Sequence, residues 1–228
     1  MMAKFARAAD FDEKDINTYR SCCDILSFDQ GESMFLQDDM SDGIYCLQSG
    51  HIMLWHMDEV GNEIGFRVAG AGEMVGHRAY FGQDTHAATA VAITTCVACL
   101  HRPESLTRLM DKYPVLYRLF LRMLALDKGP PDSLLLRNTH LPVKTRLTNL
   151  LLILKQLFAN QTSDGALVFE LPLYRKDIST MIAARPETVA RAIKELDSDG
   201  LAHFSGRTVS VPDIKHLIES VMESEKNL

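Results

Sequence analysis

Leu173–Val211, LYRKDISTMIAARPETVARAIKELDSDGLAHFSGRTVSV, is the stretch whose reading decides the fold of its half of the chain. Ile178, Met181 and Ile182 recur at i, i+3 and i+4 and predict a helix with one apolar stripe. Val189, Ala192, Ile193 and Leu196 repeat the pattern and predict a second helix. Between the two lies Ala183-Ala184-Arg185-Pro186. Pro186 suits the first position of a helix, where a missing N–H costs nothing, and it drives the preceding residue out of helical geometry. The chain must therefore turn there. Asp199-Gly200 ends the second helix, with Gly200 as a left-handed cap. Leu201–Phe204 and Thr208–Val211 are β-prone runs around Ser205-Gly206-Arg207, a hairpin pattern. Helix, turn, helix and hairpin make a winged helix-turn-helix.

The second helix then has an outer face. Arg185, Glu187, Thr188, Arg191 and Lys194 lie largely opposite its apolar stripe, and Arg207 sits at the hairpin. Glu187 and Arg191 are i and i+4, neighbours on one strip of surface. Arginine pairs bidentately with guanine O6 and N7, and a carboxylate accepts from cytosine N4. Thr188 and Lys194 suit phosphates or thymine methyls. An intrahelical ion pair on a solvated face is the plainer account of the same spacing. The turn before and the wing after favour contact with double-stranded DNA.

Composition sets the bounds. A chain of 228 residues predicts two domains, and 46% hydrophobic residues is ample for real cores. Met1–Phe11 lacks the apolar run of a secretory signal, and Leu150–Leu154 is too short to span a bilayer, so a cytoplasmic chain without a membrane partner is expected. Five cysteines in such a chain predict free thiols rather than a disulfide framework. The net charge of −6 looks unsuited to DNA, but it is uneven. Residues 1–140 carry 13 basic and 19 acidic side chains, and residues 141–228 carry 11 of each. A neutral domain can still bind DNA when its cations face one way. No motif of hydrolase, kinase or metalloprotease chemistry is found, so no catalytic residue, no metal ligand and no enzyme activity is expected.

The first half reads differently. Phe11–Cys23 is a predicted amphipathic helix. Ser33–Leu36, Gly43–Gln48, His51–Met57 and Glu63–Val68 are strand candidates, with Asp58–Asn62 a hairpin loop between the last two. Ala87–Leu100 reads as two strands or one bent strand, and Pro103–Tyr113 opens a helical region. Short strands at this spacing predict an antiparallel barrel or sandwich. GESMF, SDGIYCLQSGHIMLW, DEVGNEIGF and AGEMVGHRAYF follow the order of a cyclic-nucleotide-binding-type β-roll. Together with PETVAR in the winged helix, residues 25–212 resemble the CRP/FNR family of transcription regulators. The resemblance implies an α+β chain: an N-terminal antiparallel β-roll that senses an effector (1–113), a dimerisation helix and hinge (114–140), and a C-terminal winged helix-turn-helix DNA-binding domain (141–228). It also implies a homodimer acting on an inverted repeat and RNA polymerase as a further partner. Family recognition helices of the E-x-x-x-R form read half-sites with a TGA core, which assigns the guanine to Arg191 by resemblance.

Departures from the family are equally informative. Members that bind cyclic AMP hold its phosphate with G-E-x-x-G-E and an Arg a few residues later. Here the segment is Gly72-Glu73-Met74-Val75-Gly76-His77, and no Arg occurs in Asp84–Ala88. A cyclic phosphate needs a fixed cation or a nest of N–H groups. His86 is a weak, pH-dependent substitute. Gly72, Glu73, Gly76, His77 and His86 are the candidate effector residues, and the expected signal is redox, nitric oxide or a small molecule rather than cyclic AMP. Asp38 and Ala183 stand where the family often has glycine; the alanine fits if its turn avoids positive φ. Cys22, Cys23, Cys46, Cys96 and Cys99 do not match a cluster-binding spacing. Cys96 and Cys99 should point to opposite faces of a strand. Buried structural thiols are expected, with Cys22 or Cys23 open as a redox-active thiol. His51, His56, His77, His86 and His101 offer no diagnostic haem pairing, so the cofactor is unknown.

Leu116, Leu119, Phe120, Met123 and Leu124 recur at helical spacing in Pro114–Leu126. Asp127-Lys128-Gly129-Pro130-Pro131 then interrupts the helix, since interior proline costs ~3 kcal/mol or more. The dimerisation helix is therefore expected to break near Gly129–Pro131. Leu141–Ala159 reads as the first helix of the DNA-binding domain. Two further readings stay open: a cyclic-nucleotide-dependent factor with an atypical pocket, and a winged helix that binds protein.

Overall fold

The computed structural model describes residues 14, 18, 21–126, 140–158, 160–161 and 166–226. The expected helix over Phe11–Cys23 lies mostly outside these residues, although 14, 18 and 21 are helical. The Gly129–Pro131 break lies wholly outside them. The chain separates into two compact units, residues 1–61 with 67–128, and residues 62–66 with 129–228.

The first unit carries two four-stranded sheets. One has the order β1 (Asp24–Phe28), β8 (Cys96–His101), β3 (Ile44–Ser49) and β6 (Met74–Val75). The other runs β2 (Ser33–Phe35), β7 (Thr89–Ala92), β4 (His51–Met57) and β5 (Glu63–Gly70). Strand β3 shows why the first sheet lies at the centre. Its residues Ile44, Tyr45, Cys46 and Leu47 are all buried, so both faces are covered. On one side Tyr45 meets Phe35 of the second sheet, ring centres 5.6 Å apart. On the other, Ile44, Cys46, Met74 and Cys99 pack against α2 (Pro103–Lys112) and α3 (Val115–Leu126) through Leu106, Leu109, Leu116 and Phe120. Each such leucine contributes roughly 1.5–3 kcal/mol on leaving water. The short helix α1 (His77–Gly82) follows β6.

Ala87–Leu100 resolves into two strands separated by a turn. Strands β1 and β6 and helix α1 were not expected. Each is short, and each takes its form from a neighbour: β1 pairs along β8, Asp24 facing Leu100, and β6 pairs with Tyr45 and Cys46.

The second unit begins with α4 (Val143–Phe158), whose Leu147, Leu150, Leu151 and Leu154 are buried. Strands β9 (Asn160–Gln161) and β10 (Leu167–Glu170) follow, then α5 (Arg175–Met181) and α6 (Pro186–Ser198). The wing is β11 (His203–Ser205) and β12 (Thr208–Val211), turning at Gly206, φ 61°. The sheet order β11-β12-β10-β9 extends the wing inward, with Leu167 facing Val211. Helix α7 (Ile214–Lys226) closes the unit and buries Leu217 and Val221. Neither β10 nor α7 was read from the sequence.

The turn between α5 and α6 departs from expectation in one respect. Ala183 does adopt positive φ, 48°, a left-handed conformation that costs a non-glycine residue roughly 1–2 kcal/mol. A neighbouring side chain holds it. Arg146 of α4 donates from Nη1 to the Ile182 carbonyl at 2.6 Å and to the Ala183 carbonyl at 3.0 Å, and from Nε to Leu141 at 3.0 Å. These carbonyls end α5, where no intrahelical N–H remains for them. Asp177 holds the other end of α5, accepting from the Tyr174 N–H at 2.7 Å. At the far end of α6, Gly200 takes the left-handed cap, φ 68°.

Two substitutions test this turn in opposite directions. Ala183→Gly should stabilise the unit by about 1 kcal/mol, because glycine adopts positive φ freely. Arg146→Ala should cost about 2–3 kcal/mol by stranding carbonyls that bond a charged donor. Denaturant unfolding of the full chain measures both; an unchanged midpoint for Arg146→Ala would remove the guanidinium from this role.

Candidate DNA interface and sensing region

Helix α6 forms because Pro186 starts it, Glu187 sits favourably in its positive first turn, and its apolar stripe has a core to enter. Val189, Ala192, Ile193 and Leu196 are buried, and Arg185, Glu187, Arg191 and Lys194 are exposed, with Thr188 half-buried. Five of the six candidate contacts thus share α6 or its first residue's approach. Among the described residues no ion pair joins Glu187 to Arg191, so this carboxylate and guanidinium both face solvent. Arg207 is placed differently, on the wing, 3.6 Å from the Glu170 carboxylate. Such an exposed pair is worth ~0–1 kcal/mol and leaves the arginine free to exchange partners. Arg175 opens α5 and lies over the Phe204 ring, 5.4 Å from its centre, which links that helix to the wing. Arg146 and Arg175 carry no mark in the sequence, because neither lies on the helix whose periodicity points to the site.

The candidate sensing residues centre on the turn between β5 and β6. Glu73 is fully engaged within it. Its Oε2 accepts from the Gly70 N–H at 2.8 Å and its Oε1 meets Arg67 at 3.1 Å. Gly72 donates to the Leu47 carbonyl, and Leu47 donates back to Glu73. Gly76 has φ 80°, and a β-carbon there would come within 3.0 Å of the Gly43 carbonyl oxygen, so glycine is required on both counts. His86 is buried, stacked on Phe35 with ring centres 3.9 Å apart, and its ring also lies against Gly76. His77, the first residue of α1, is buried as well. Asp38 adopts positive φ, 68°, at the position where glycine was the common alternative.

A cavity of about 430 Å³ lies beside α1, lined by Met40, Ala79, Phe81, Asp84, Met110 and Tyr117 among others. It takes in none of the five candidate effector residues, and no Lys or Arg lines it among the described residues.

Comparison with known proteins places both regions. The family described as Cyclic nucleotide-binding domain matches residues 25–113. The Crp-like helix-turn-helix domain family matches residues 145–220, so that the two together take in most of the chain. This chain belongs to the CRP/FNR family. The fumarate and nitrate reduction regulatory protein of Escherichia coli K12 is 28% identical over 185 residues, covering 80% of this chain and 72% of that protein. Its counterpart in Klebsiella oxytoca matches equally, 28% over 185 residues with the same coverage. FixK2 of Bradyrhizobium japonicum shares the fold with a TM-score of 0.75 at 20% identity, over 86% of this chain and 96% of that one. The c-di-GMP-responsive regulator CLP of Xanthomonas campestris shares it with a TM-score of 0.68 at 21% identity, over 89% and 100%. The homologues are transcription regulators rather than enzymes. No helix among the described residues is long and apolar enough to cross a membrane.

In this CRP/FNR chain the cysteines depart from expectation. Cys23 and Cys99 form a disulfide, Cα atoms 5.6 Å apart, where free thiols were expected. The reason is topological: β1 pairs along β8, which brings the residue ahead of β1 beside Cys99. Cys22, Cys46 and Cys96 are not part of a disulfide. Cys96 and Cys99 do point to opposite sides, Cys96 donating to the His51 carbonyl at 3.1 Å and Cys99 joining the core under α2. Cys23, Cys99 and His101 lie together, their ligand atoms within 4.8 Å of one another. The sequence did carry a sign of this, since Cys99 and His101 are i and i+2 on one strand and share a face.

Burial keeps two histidines neutral. It lowers the pKa of His86, opposed by Asp42 and Asp39, and pushes His101 down to about 4. An unfolded histidine, pKa ≈ 6.5, takes up its proton at higher pH than either buried ring. Their stabilising effect is complete above that value and is lost as pH falls below it. Unfolding free energy should therefore decline from about pH 6.5 downward, and His86→Gln should flatten part of that slope. An identical slope in the variant, measured by urea titration at several pH values, would remove His86 from the account.

Proposed function

We propose that this CRP/FNR regulator is a homodimer that reads an inverted repeat with TGA-type half-sites and answers a signal other than cyclic AMP. One observation carries the DNA reading. Glu187 and Arg191 stand exposed and unpaired on the outer strip of a helix whose entry turn is clamped by Arg146. Arg191 meets the guanine and Glu187 accepts from the cytosine amino group. Thr188 and Lys194 complete the helix face. Arg185, at the positive end of α6, and Arg207, on the wing, meet phosphates, which fixes register. With 11 basic and 11 acidic residues in 141–228, bulk attraction is weak and specificity rests on base contacts. The protein acts in the cytoplasm, with RNA polymerase as the partner that converts binding into altered transcription.

The signal reading rests on the sensing turn. Glu73 is committed to Gly70 and Arg67, and the neighbouring cavity offers Asp84 rather than a cation. Among the described residues no Lys or Arg lines that cavity, and Arg67 is engaged by Glu73, so an anionic cyclic phosphate lacks a dedicated cation. A small neutral molecule suits the apolar lining better.

Arg191→Ala should erase ~1–3 kcal/mol of preference for guanine at one half-site position. Arg185→Ala should weaken all sequences alike and reduce the salt slope by about 1. Titrations of a consensus and a base-substituted inverted repeat at several salt concentrations separate the two. Full selectivity in Arg191→Ala would overturn the assignment. Cyclic AMP should leave the melting temperature unchanged; a saturable rise of several degrees would instead make this a nucleotide receptor with an atypical pocket.

A further inference from the structure

We propose that Cys23, Cys99 and His101 form a binding site for one soft divalent metal ion, zinc in the first instance, when the Cys23–Cys99 disulfide is reduced. Their ligand atoms lie within 4.8 Å of one another. A tetrahedral zinc site with Zn–S ≈ 2.3 Å and Zn–N ≈ 2.0–2.1 Å needs its protein ligands roughly 3.5–4 Å apart, so small side-chain movements suffice. Two thiolates and one imidazole are a soft donor set that selects zinc over magnesium or calcium. The backbone holds the three in place. Cys99 and His101 share one face of β8, buried in the centre of the sheet, opposite Cys46 and Ile44 respectively. Cys23 arrives from the start of β1, which pairs with β8 over five residues from Asp24 to Phe28.

A second observation supports a thiolate at this place. Gln48 donates from Nε2 to the Cys99 sulfur at 3.2 Å. An N–H aimed at sulfur stabilises the anionic form and orients it, as outer partners of metal ligands do. Cys22 is adjacent in sequence but does not belong to the group of three, and Cys96 faces the other side of the strand. The fourth position therefore falls to water or an exogenous ligand, as in zinc sites with three protein ligands.

Metal and disulfide exclude each other, because both use the same two sulfurs. A hydroperoxide converts one to the other. The two thiolates lose two electrons and form the S–S bond, the O–O bond breaks, and two protons are taken up. An alcohol, water and the free ion are released.

The test uses the full chain, reduced with a phosphine under nitrogen, freed of reductant and titrated with cobalt(II) as a spectroscopic stand-in, then with zinc against a chromogenic chelator. The expected result is one ion per chain, with the intense visible bands of tetrahedral cobalt and a near-ultraviolet thiolate band, both displaced by zinc. The disulfide form should bind none. Cys23→Ser, at a half-buried position that tolerates the exchange, should lose the thiolate intensity and weaken zinc by ~100-fold or more. Cys22→Ser and Cys96→Ser should bind as the parent does. Circular dichroism confirms that each variant is folded. Absence of tetrahedral bands in the reduced parent, equal zinc affinity in Cys23→Ser, or loss of binding in Cys22→Ser would each overturn the site.

Discussion

The guanidinium of Arg146 grips the carbonyls of Ile182 and Ala183, and the placement of α6 depends on that grip. Helices α5 and α6 are separated by only a few residues, one of them an alanine in a left-handed conformation. Without an outside partner, such a turn has little to choose it over neighbouring geometries. Arg146 supplies the choice from α4, a helix fixed independently by Leu147, Leu150, Leu151 and Leu154. The burial that lowers the guanidinium's pKa also strengthens its hydrogen bonds, since less water competes for them. One side chain thus transmits the rigidity of a buried helix to the exposed face of α6.

Much of the architecture was legible in the sequence because it follows from period. The 3.6-residue stripes of Ile178–Ile182 and Val189–Leu196 specify two helices, and His51–Met57 is a strand over its full predicted length. What escaped reading depends on partners distant in sequence. Strand β10 exists because Val211 and its neighbours offer it an edge. Strand β1 exists because β8 does. Helix α7 does carry a period of its own, with Leu217 and Val221 four apart. The positive φ of Ala183 is not legible in the sequence because the compensating contact comes from Arg146, 37 residues earlier. The cysteine pairing is hidden for the same kind of reason, its two positions being 76 apart in sequence.

Strand β8 shows how one short segment can serve two layers. Cys96 bonds toward the His51 turn, while Cys99 joins the layer beneath α2 and α3, with His101 on the same face of the strand. Any chemistry at Cys99 therefore takes place inside the core that seats those helices, close to Leu106, Leu116 and Phe120. The candidate reading face on α6 belongs to the other unit, and its legibility did not depend on this layer at all. That is why the exposed strip of α6 is legible from helical period alone, while the contacts around His86 and Gly76 are not.

Glu73 carries a lesson about motifs. Its carboxylate closes the turn it sits in, through Gly70, and anchors Arg67 on the same hairpin. The glycine-glutamate pair at this place is accounted for by the folding of the loop. A survey of genomes that counted nucleotide receptors by that dipeptide would include this chain on the strength of its architecture, and would learn nothing from it about diet, stress or whatever the cell is monitoring.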